Sequence, residues 1–231
     1  MLEEKEPRWR LLVRLSVVLF LFPAIVVFVF PRLEAAQKLF SGDRSYWLQY
    51  WLAAFALEWV TFLVVYAAYG RVRQRLQEIG FPFQLTRNEK LVAAATVLAF
   101  ALLAVVGAGG AQEYLSRIPA GARMFIPPPE AELRLFWVAM AITAALCEET
   151  LWRGVAITDL KALTNSLVLA VGLSSFSFVY FHGGFAQGAI IFGYRFFITL
   201  ILAWVYVRQR NLKLVIYVHF LMDAIALLAM G

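Results

Sequence analysis

The chain has 231 residues, of which 62% are hydrophobic and only 16% are charged, and its formal net charge is +6 at pH 7. This composition excludes an ordinary soluble globular domain and is typical of a membrane protein. The basic residues cluster at the ends of apolar runs rather than along one polar face, which excludes nucleic acid as the expected partner. The single cysteine, Cys147, excludes an intramolecular disulfide.

Apolar segments of similar length follow one another along the whole chain. Crossing the hydrocarbon of a bilayer takes roughly 20 apolar residues. No internal repeat and no separate soluble domain stands out between the segments. We therefore predict an all-α, polytopic membrane protein with about seven transmembrane helices in one integrated domain, divided into N-terminal helices and loops (1–132) and a helical core (133–231). The seven segments are approximately 11–31, 47–69, 89–108, 133–157, 166–182, 188–207 and 212–230.

Basic residues divide unevenly between the two sides of this arrangement. If the segments alternate in direction, one side holds the N-terminal flank and the links after the second and sixth segments, which together carry most of the Lys and Arg. The positive-inside rule then predicts a cytoplasmic N-terminus and an external C-terminus. The basic residues on that side are Lys5, Arg8, Arg10, Arg14, Arg71, Arg73, Arg75, Arg87, Lys90, Arg208, Arg210 and Lys213.

The fourth segment carries charged residues inside an apolar run. Glu148 and Glu149 are adjacent, and Arg153 follows Glu149 by one helical turn. An uncompensated carboxylate in a bilayer costs several kcal/mol, so an ionisable residue there indicates a functional site. Glu149 and Arg153 share one helix face, whereas Glu148 is turned about 100° away. We therefore expect Glu149 and Arg153 to form a supporting ion pair and Glu148 to be free for chemistry.

Both histidines of the chain lie in or beside apolar segments. His182 ends the fifth segment, and His219 lies in the seventh, with Asp223 one turn later on the same face. A single histidine in such a place is commonly a hydrogen-bonded packing residue. Here, however, the last four segments bury many polar groups, which is costly unless they meet one another. We predict that Glu148, His182, His219 and Asp223 gather in one site.

Three motifs occur in order on successive predicted helices. Residues 148–153 match EExxxR, residues 178–182 match FxxxH, and residues 219–223 match an HxxxN/D pattern. Each motif by itself is a weak signal, but the ordered set is specific. Over roughly residues 140–230 the chain resembles the CAAX-protease and bacteriocin-processing family (CPBP, also called Abi) of intramembrane endopeptidases. The first three segments carry no signature of that family.

The resemblance implies a glutamate-type protease with named catalytic residues. Glu148 would be the general base, His182 would help to hold the attacking water, and His219 and Asp223 would stabilise the oxyanion. Asp223 departs from the commoner Asn; a carboxylate donates a hydrogen bond only when protonated, so Asp223 is either protonated or orients His219. Independently of the resemblance, peptide hydrolysis needs a base near water and donors aimed at the oxyanion, and both act more strongly in a water-poor site.

The resemblance also implies the substrate class. Eukaryotic and archaeal relatives process prenylated CAAX proteins, whereas bacterial relatives are linked to bacteriocin maturation and immunity, peptide signals and protein sorting. We therefore predict an endopeptidase, without a cofactor, that cleaves a membrane-associated or C-terminally lipidated peptide or protein. Two other classes stay open: a non-enzymatic scaffold or immunity protein, and a proton-coupled transporter, which would usually show an internal repeat.

Other polar residues in the apolar segments allow alternatives. Cys147 adjoins the Glu pair, but a thiol in an apolar helix usually only packs. Arg195 is predicted either to pair with Glu58 across helices or to bind the C-terminal carboxylate of a substrate. Two histidines with carboxylates are also a zinc ligand set, and Asp223 is a better ligand than Asn, although the chain has no HExxH motif.

The depth of each polar residue in the bilayer gives a further expectation. Counted from the cytoplasmic ends of their helices, Glu148 and His219 both lie about 10–14 Å deep, at 1.5 Å per residue. His182 would lie about 24 Å deep if its helix began at 166, which is too far to share a water with Glu148. We therefore expect the fifth helix to begin near Gly172 and the chain to break at Gly183 and Gly184.

Overall fold

The computed structural model describes residues 7–68, 86–88, 90, 91, 94, 95, 131–184 and 188–230, and all regular structure in these residues is helical. The predicted all-α class is therefore confirmed. The third predicted segment, 89–108, lies almost entirely outside the described residues, so the count of seven transmembrane helices stays a prediction. In the described part, three helices are long and apolar enough to cross a membrane: Arg8–Arg32, Trp47–Ala68 and Ala189–Gln209.

The described helices reproduce five of the other six predicted segments within a few residues, and the remaining one, 133–157, continues to Thr164. A π-helical segment, Glu149–Ala156, joins two α-helices without a break, so residues 131–164 form one long helical run. The helices are α1 (Arg8–Arg32), α2 (Glu34–Phe40), α3 (Trp47–Ala68), α4 (Ala131–Glu148), α5 (Ile157–Thr164), α6 (Leu167–Phe181), α7 (Ala189–Gln209) and α8 (Leu212–Met230).

A two-residue turn folds α6 back along α5. Asn165 ends α5 in the left-handed conformation (φ 55°), and the Ser166 hydroxyl accepts a hydrogen bond from the Leu169 amide as the N-cap of α6. Glu148 precedes Thr164 by 16 residues, and His182 follows Ser166 by 16 residues. Because the two helices are antiparallel, equal distances from the turn bring these two residues level with each other.

The expectation that the fifth helix begins near Gly172 is therefore wrong. Helix α6 begins at Leu167. His182 nevertheless lies level with Glu148, because the preceding helix continues to Thr164 rather than ending at 157. Residues 157–164, which lie beyond the predicted fourth segment, are part of the core, and Asp159 among them is 3% exposed. The predicted break after His182 is confirmed, since Gly183 and Gly184 both have positive φ (96° and 52°).

A buried ion pair explains how α5 stays in the core. Arg14 of α1, which the sequence pattern places among the cytoplasmic anchors, is fully buried, and its Nε and Nη2 donate to Asp159 Oδ2 at 2.7 Å and Oδ1 at 3.1 Å. Two parallel hydrogen bonds between guanidinium and carboxylate are a geometry that lysine cannot reproduce. This pair fixes the first helix of the chain against the helix that follows the Glu pair.

We expect Arg14→Lys to lower the free energy of unfolding by about 1.5–3 kcal/mol, because the ammonium keeps the charge but loses one charge-assisted hydrogen bond. The measurement is urea or thermal unfolding in detergent micelles, followed by circular dichroism. Arg8→Lys is the matched control, since Arg8 lies on the same helix and is exposed. An Arg14→Lys protein that unfolds at the wild-type midpoint would refute this account of the pair.

Helix α1 is joined to the core a second time through a proline. Pro23 has no amide hydrogen, so it cannot bond to the carbonyl of Leu19 four residues earlier. That carbonyl instead accepts from the Ser177 hydroxyl of α6 at 3.0 Å, and Ser177 Oγ in turn accepts from Trp152 Nε1 at 3.2 Å. Trp152 is fully buried, and the centres of the Trp152 and Phe22 rings lie 5.6 Å apart. The N-terminal helix thus packs directly on the wall that carries the Glu pair.

Candidate active site

Glu148 and Glu149 lie where the α-helix α4 passes into a π-helical segment. The π-helical segment begins at Glu149, directly after Glu148, and its last backbone hydrogen bond runs from the Ile157 amide to the Trp152 carbonyl, five residues earlier. All eight residues of this segment are buried. Stretches of π-helix are rare and frequently occur at functional sites, because the widened turn shifts side chains relative to a regular α-helix. This change of pitch is not visible in the sequence.

Glu149 and Arg153 form the predicted ion pair. Arg153 Nη1 lies 3.1 Å from Glu149 Oε1, and both side chains are almost completely buried. Arg153 also donates to the hydroxyl of Thr199 on α7, and its guanidinium carbon lies 4.3 Å from the centre of the Phe178 ring. The guanidinium is therefore held by groups from three helical segments.

Glu149 has a second partner, which the sequence motifs did not indicate. His219 Nδ1 lies 2.7 Å from the same Oε1 atom that binds Arg153. Since a carboxylate only accepts, Nδ1 is the donor in this hydrogen bond. The bond leaves Nε2 of His219 facing the opposite direction, so Glu149 fixes the ring orientation of His219 as well as pairing with Arg153.

Glu148 faces both histidines. Its Oε2 atom lies 3.7 Å from His182 Nε2 and 3.9 Å from His219 Nε2, and it has no hydrogen-bond partner among the described residues. These separations are longer than a direct hydrogen bond and suit a single bridging water. The predicted base and the two predicted histidines are thus brought together in one place.

The ring of His182 is oriented by its own helix. Its Nδ1 atom lies 2.9 Å from the carbonyl oxygen of Phe178, which can only accept, so Nδ1 carries the hydrogen. The rings of Phe178 and Phe181 lie 4.4 and 4.7 Å from the imidazole, centre to centre. The Nε2 lone pair is consequently directed toward Glu148.

Asp223 lies beside His219 and is the most solvent-exposed member of the group formed by Glu148, His182, His219 and Asp223. Its Oδ2 atom lies 3.6 Å from His219 Nε2, and its side chain is 38% exposed, whereas that of Glu148 is 4% exposed. With carboxylates near both of its nitrogens, His219 is placed as a donor in both directions. This contact supports the reading in which Asp223 orients His219.

The predicted alternative in which Glu58 pairs with Arg195 is wrong. Glu58 of α3 is buried, and its Oε2 has no hydrogen-bond partner in the described part of the chain. It lies within electrostatic range of Glu148, His219 and Asp223. Arg195 Nη1 instead donates to the main-chain carbonyl of His182 at 2.6 Å. The buried carboxylate belongs to the Glu148 cluster, and the guanidinium belongs to the end of α6.

Two further alternatives concern Cys147 and a metal ion. Cys147 is fully buried and has no hydrogen bond to either histidine within the described part of the chain. Among the same residues, no three His, Cys, Asp or Glu side chains are arranged to hold a metal ion. Zinc stays the alternative to the predicted metal-independent site.

Comparison with known proteins identifies the region that carries this cluster. Residues 130–225 match the family model described as type II CAAX prenyl endopeptidase Rce1-like. The resemblance inferred from the three motifs is thereby confirmed, and the matched region includes every motif residue from Glu148 to Asp223. No curated protein and no solved structure matches the chain. Together with the apolar helices α1, α3 and α7, the match indicates an integral membrane protein in which residues 130–225 are similar to this endopeptidase family.

Proposed function

Because residues 130–225 carry an Rce1-like domain, we propose that this protein is an intramembrane endopeptidase in which Glu148 and His182 activate a water molecule. The observation that carries the proposal is the position of Glu148 Oε2, a buried oxygen without a hydrogen-bond partner in the described residues, opposite Nε2 of both histidines. A carboxylate so placed can accept a proton from a water that also donates to His182. The substrate is a membrane-associated or C-terminally lipidated peptide or protein.

The hydrolytic step uses Glu148 twice. The water oxygen attacks the scissile carbonyl carbon while Glu148 takes one water proton, and the carbonyl π electrons move to the oxygen. When the tetrahedral intermediate collapses, the C–N bond breaks and Glu148 returns the proton to the leaving nitrogen. These steps account for every proton and bond of the hydrolysis without a metal, an oxidant or a covalent enzyme intermediate.

The developing oxyanion is stabilised by His219. Its Nδ1 donates to Glu149 at 2.7 Å, so Nε2 can donate to the oxyanion when the ring is the doubly protonated imidazolium, a form that the carboxylates of Glu148, Glu149 and Asp223 stabilise. Asp223, 3.6 Å from the same Nε2, holds the ring in this orientation. Preorganised donors of this kind contribute much of the rate enhancement in water-poor sites. The Glu149–Arg153 pair acts through His219 and is supporting rather than catalytic.

The membrane setting of the reaction follows from the charge distribution. The excess of Lys and Arg in the N-terminal flank and in the links after the second and sixth segments supports a cytoplasmic N-terminus and an external C-terminus. A prenylated CAAX-type C-terminus fits a site of this kind, since the lipid would remain in the bilayer while the peptide enters the cluster. The proposed partners are thus the bilayer and such a peptide, without nucleic acid.

The proposal predicts that detergent-purified protein cleaves a fluorogenic C-terminal prenylpeptide and that a strong zinc chelator leaves the rate unchanged within about twofold. The reason is that the proposed base and donors are side chains and need no Lewis acid. The rate is measured from the rise in fluorescence with and without the chelator, and a zinc-loaded metalloprotease assayed in parallel verifies that chelation is complete. Cleavage lost to the chelator would assign His182, His219 and Asp223 to a metal site instead.

A further inference from the structure

Arg195 is a charged side chain near the start of α7, a helix apolar enough to span the membrane. Its Nη1 atom donates to the main-chain carbonyl oxygen of His182 at 2.6 Å, and the side chain is partly buried. A cation within a membrane helix is costly and indicates a function. The atom it binds belongs to the backbone of a proposed catalytic residue.

The end of α6 needs such a donor. The last carbonyls of any helix have no partner within the helix, and within a bilayer every backbone polar group must be satisfied by the protein. His182 is the C-cap of α6 (φ −82°, ψ 23°), and Gly183 and Gly184 then turn the chain away with positive φ. A guanidinium at a helix C-terminus is also favoured by the helix dipole.

The position of the His182 backbone controls where its ring points. The imidazole is fixed locally by the Nδ1 hydrogen bond to the Phe178 carbonyl, so the ring moves with the last turn of α6. Nε2 faces Glu148 Oε2 at 3.7 Å, where a small displacement changes whether one water can contact both atoms. Misplacement of a catalytic group by about 1 Å can cost about 100-fold in rate.

We propose that Arg195 is a positioning residue, which holds the carbonyl of His182 so that the imidazole stays opposite Glu148. This inference rests on the proposed function and replaces the prediction that Arg195 binds the carboxylate of the substrate. In that role the guanidinium affects turnover rather than substrate affinity.

The test compares Arg195→Met and Arg195→Lys with wild type on two prenylpeptides that differ only in a free or an amidated C-terminus. We expect Arg195→Met to lower kcat by about 10–100-fold with KM within about threefold, and Arg195→Lys to recover part of kcat, because an ammonium can also donate to the carbonyl. The ratio of rates for the acid and amide peptides stays as in wild type. Arg208→Met, at the exposed far end of α7, is the matched control and is expected to cleave at the wild-type rate.

Two results would overturn the inference while leaving the protease intact. A raised KM together with loss of the preference between acid and amide would show that Arg195 binds the substrate carboxylate. A kcat within twofold of wild type in Arg195→Met would show that the contact with His182 has no effect on the reaction. The double variant Arg195→Met, His182→Gln is expected to lose no more activity than His182→Gln alone, since both changes act on one group.

A second readout does not depend on cleavage. The chain has only two histidines, so ¹⁵N-histidine labelling gives a simple imidazole spectrum, assigned by His182→Gln and His219→Gln. We expect Arg195→Met to shift or broaden the His182 signals and to leave the His219 signals in place. If wild type cleaved neither peptide but this selective change occurred, the proposed function would fail and the positioning contact would stand. An unchanged His182 signal would refute the contact itself.

Discussion

Replacing Glu148 by glutamine is expected to lower kcat for peptide hydrolysis by about 10²–10⁴-fold, the range that a general base contributes. The amide keeps the size and the hydrogen-bonding capacity of the side chain but cannot accept the proton of the attacking water. Because Glu148 is buried and its Oε2 forms no hydrogen bond within the described part of the chain, the substitution removes little that holds the fold. The loss is measured as initial rates on a prenylpeptide under saturating substrate.

The control is Glu34→Gln, the same chemical change at an exposed residue of α2. It should cleave at the wild-type rate, and both variants should unfold within about 1 kcal/mol of wild type, as expected when no buried partner is lost. Wild-type turnover by Glu148→Gln would exclude Glu148 as the base and would leave the cluster as a structural polar network, as the scaffold reading requires.

The second large effect is expected at Arg153. Arg153→Met leaves the Glu149 carboxylate buried without its cation, which is expected to cost about 3–5 kcal/mol of folding free energy. It also frees Glu149 from the position in which it binds Nδ1 of His219, so cleavage is expected to fall as well. Unfolding in detergent micelles and peptide turnover measure the two consequences separately.

A double variant separates charge from packing. In Arg153→Met, Glu149→Gln the carboxylate that Arg153 neutralised is removed as well, so much of the lost stability should return, whereas activity should stay low because His219 loses the carboxylate to which its Nδ1 donates. Lys161→Met serves as the control for removing a cation, since Lys161 is exposed on the adjoining helix α5. Full recovery of activity in the double variant would argue that Glu149 has no part in orienting His219.

The sequence allowed most of the helices and the membership of the cluster to be predicted. Apolar runs of bilayer length place α1, α3 and α6 to α8 within a few residues, because length and hydropathy are local properties. The four-residue spacing of Glu149 and Arg153 likewise sets their ion pair within a single helical segment.

Contacts between residues distant in the chain could not be predicted. Arg14 binds Asp159 across 145 residues and keeps residues 157–164 in the core. No pattern in the sequence indicates this contact, and ending the fourth segment at 157 led to the wrong start for α6. His219 binds Glu149 across 70 residues, and no spacing rule reports this contact. The ion pair expected between Glu58 and Arg195 rested only on their opposite charges within apolar segments, and charge does not determine which faces two helices turn to each other.

The most direct test of the central claim is mass spectrometry of a prenylated peptide incubated with the purified wild-type protein in H₂¹⁸O. Hydrolysis by an activated water predicts two fragments, the new carboxyl group carrying one ¹⁸O atom, and neither fragment in the Glu148→Gln sample. An intact peptide after prolonged incubation with folded wild-type protein, or labelled fragments that form equally well with Glu148→Gln, would contradict it.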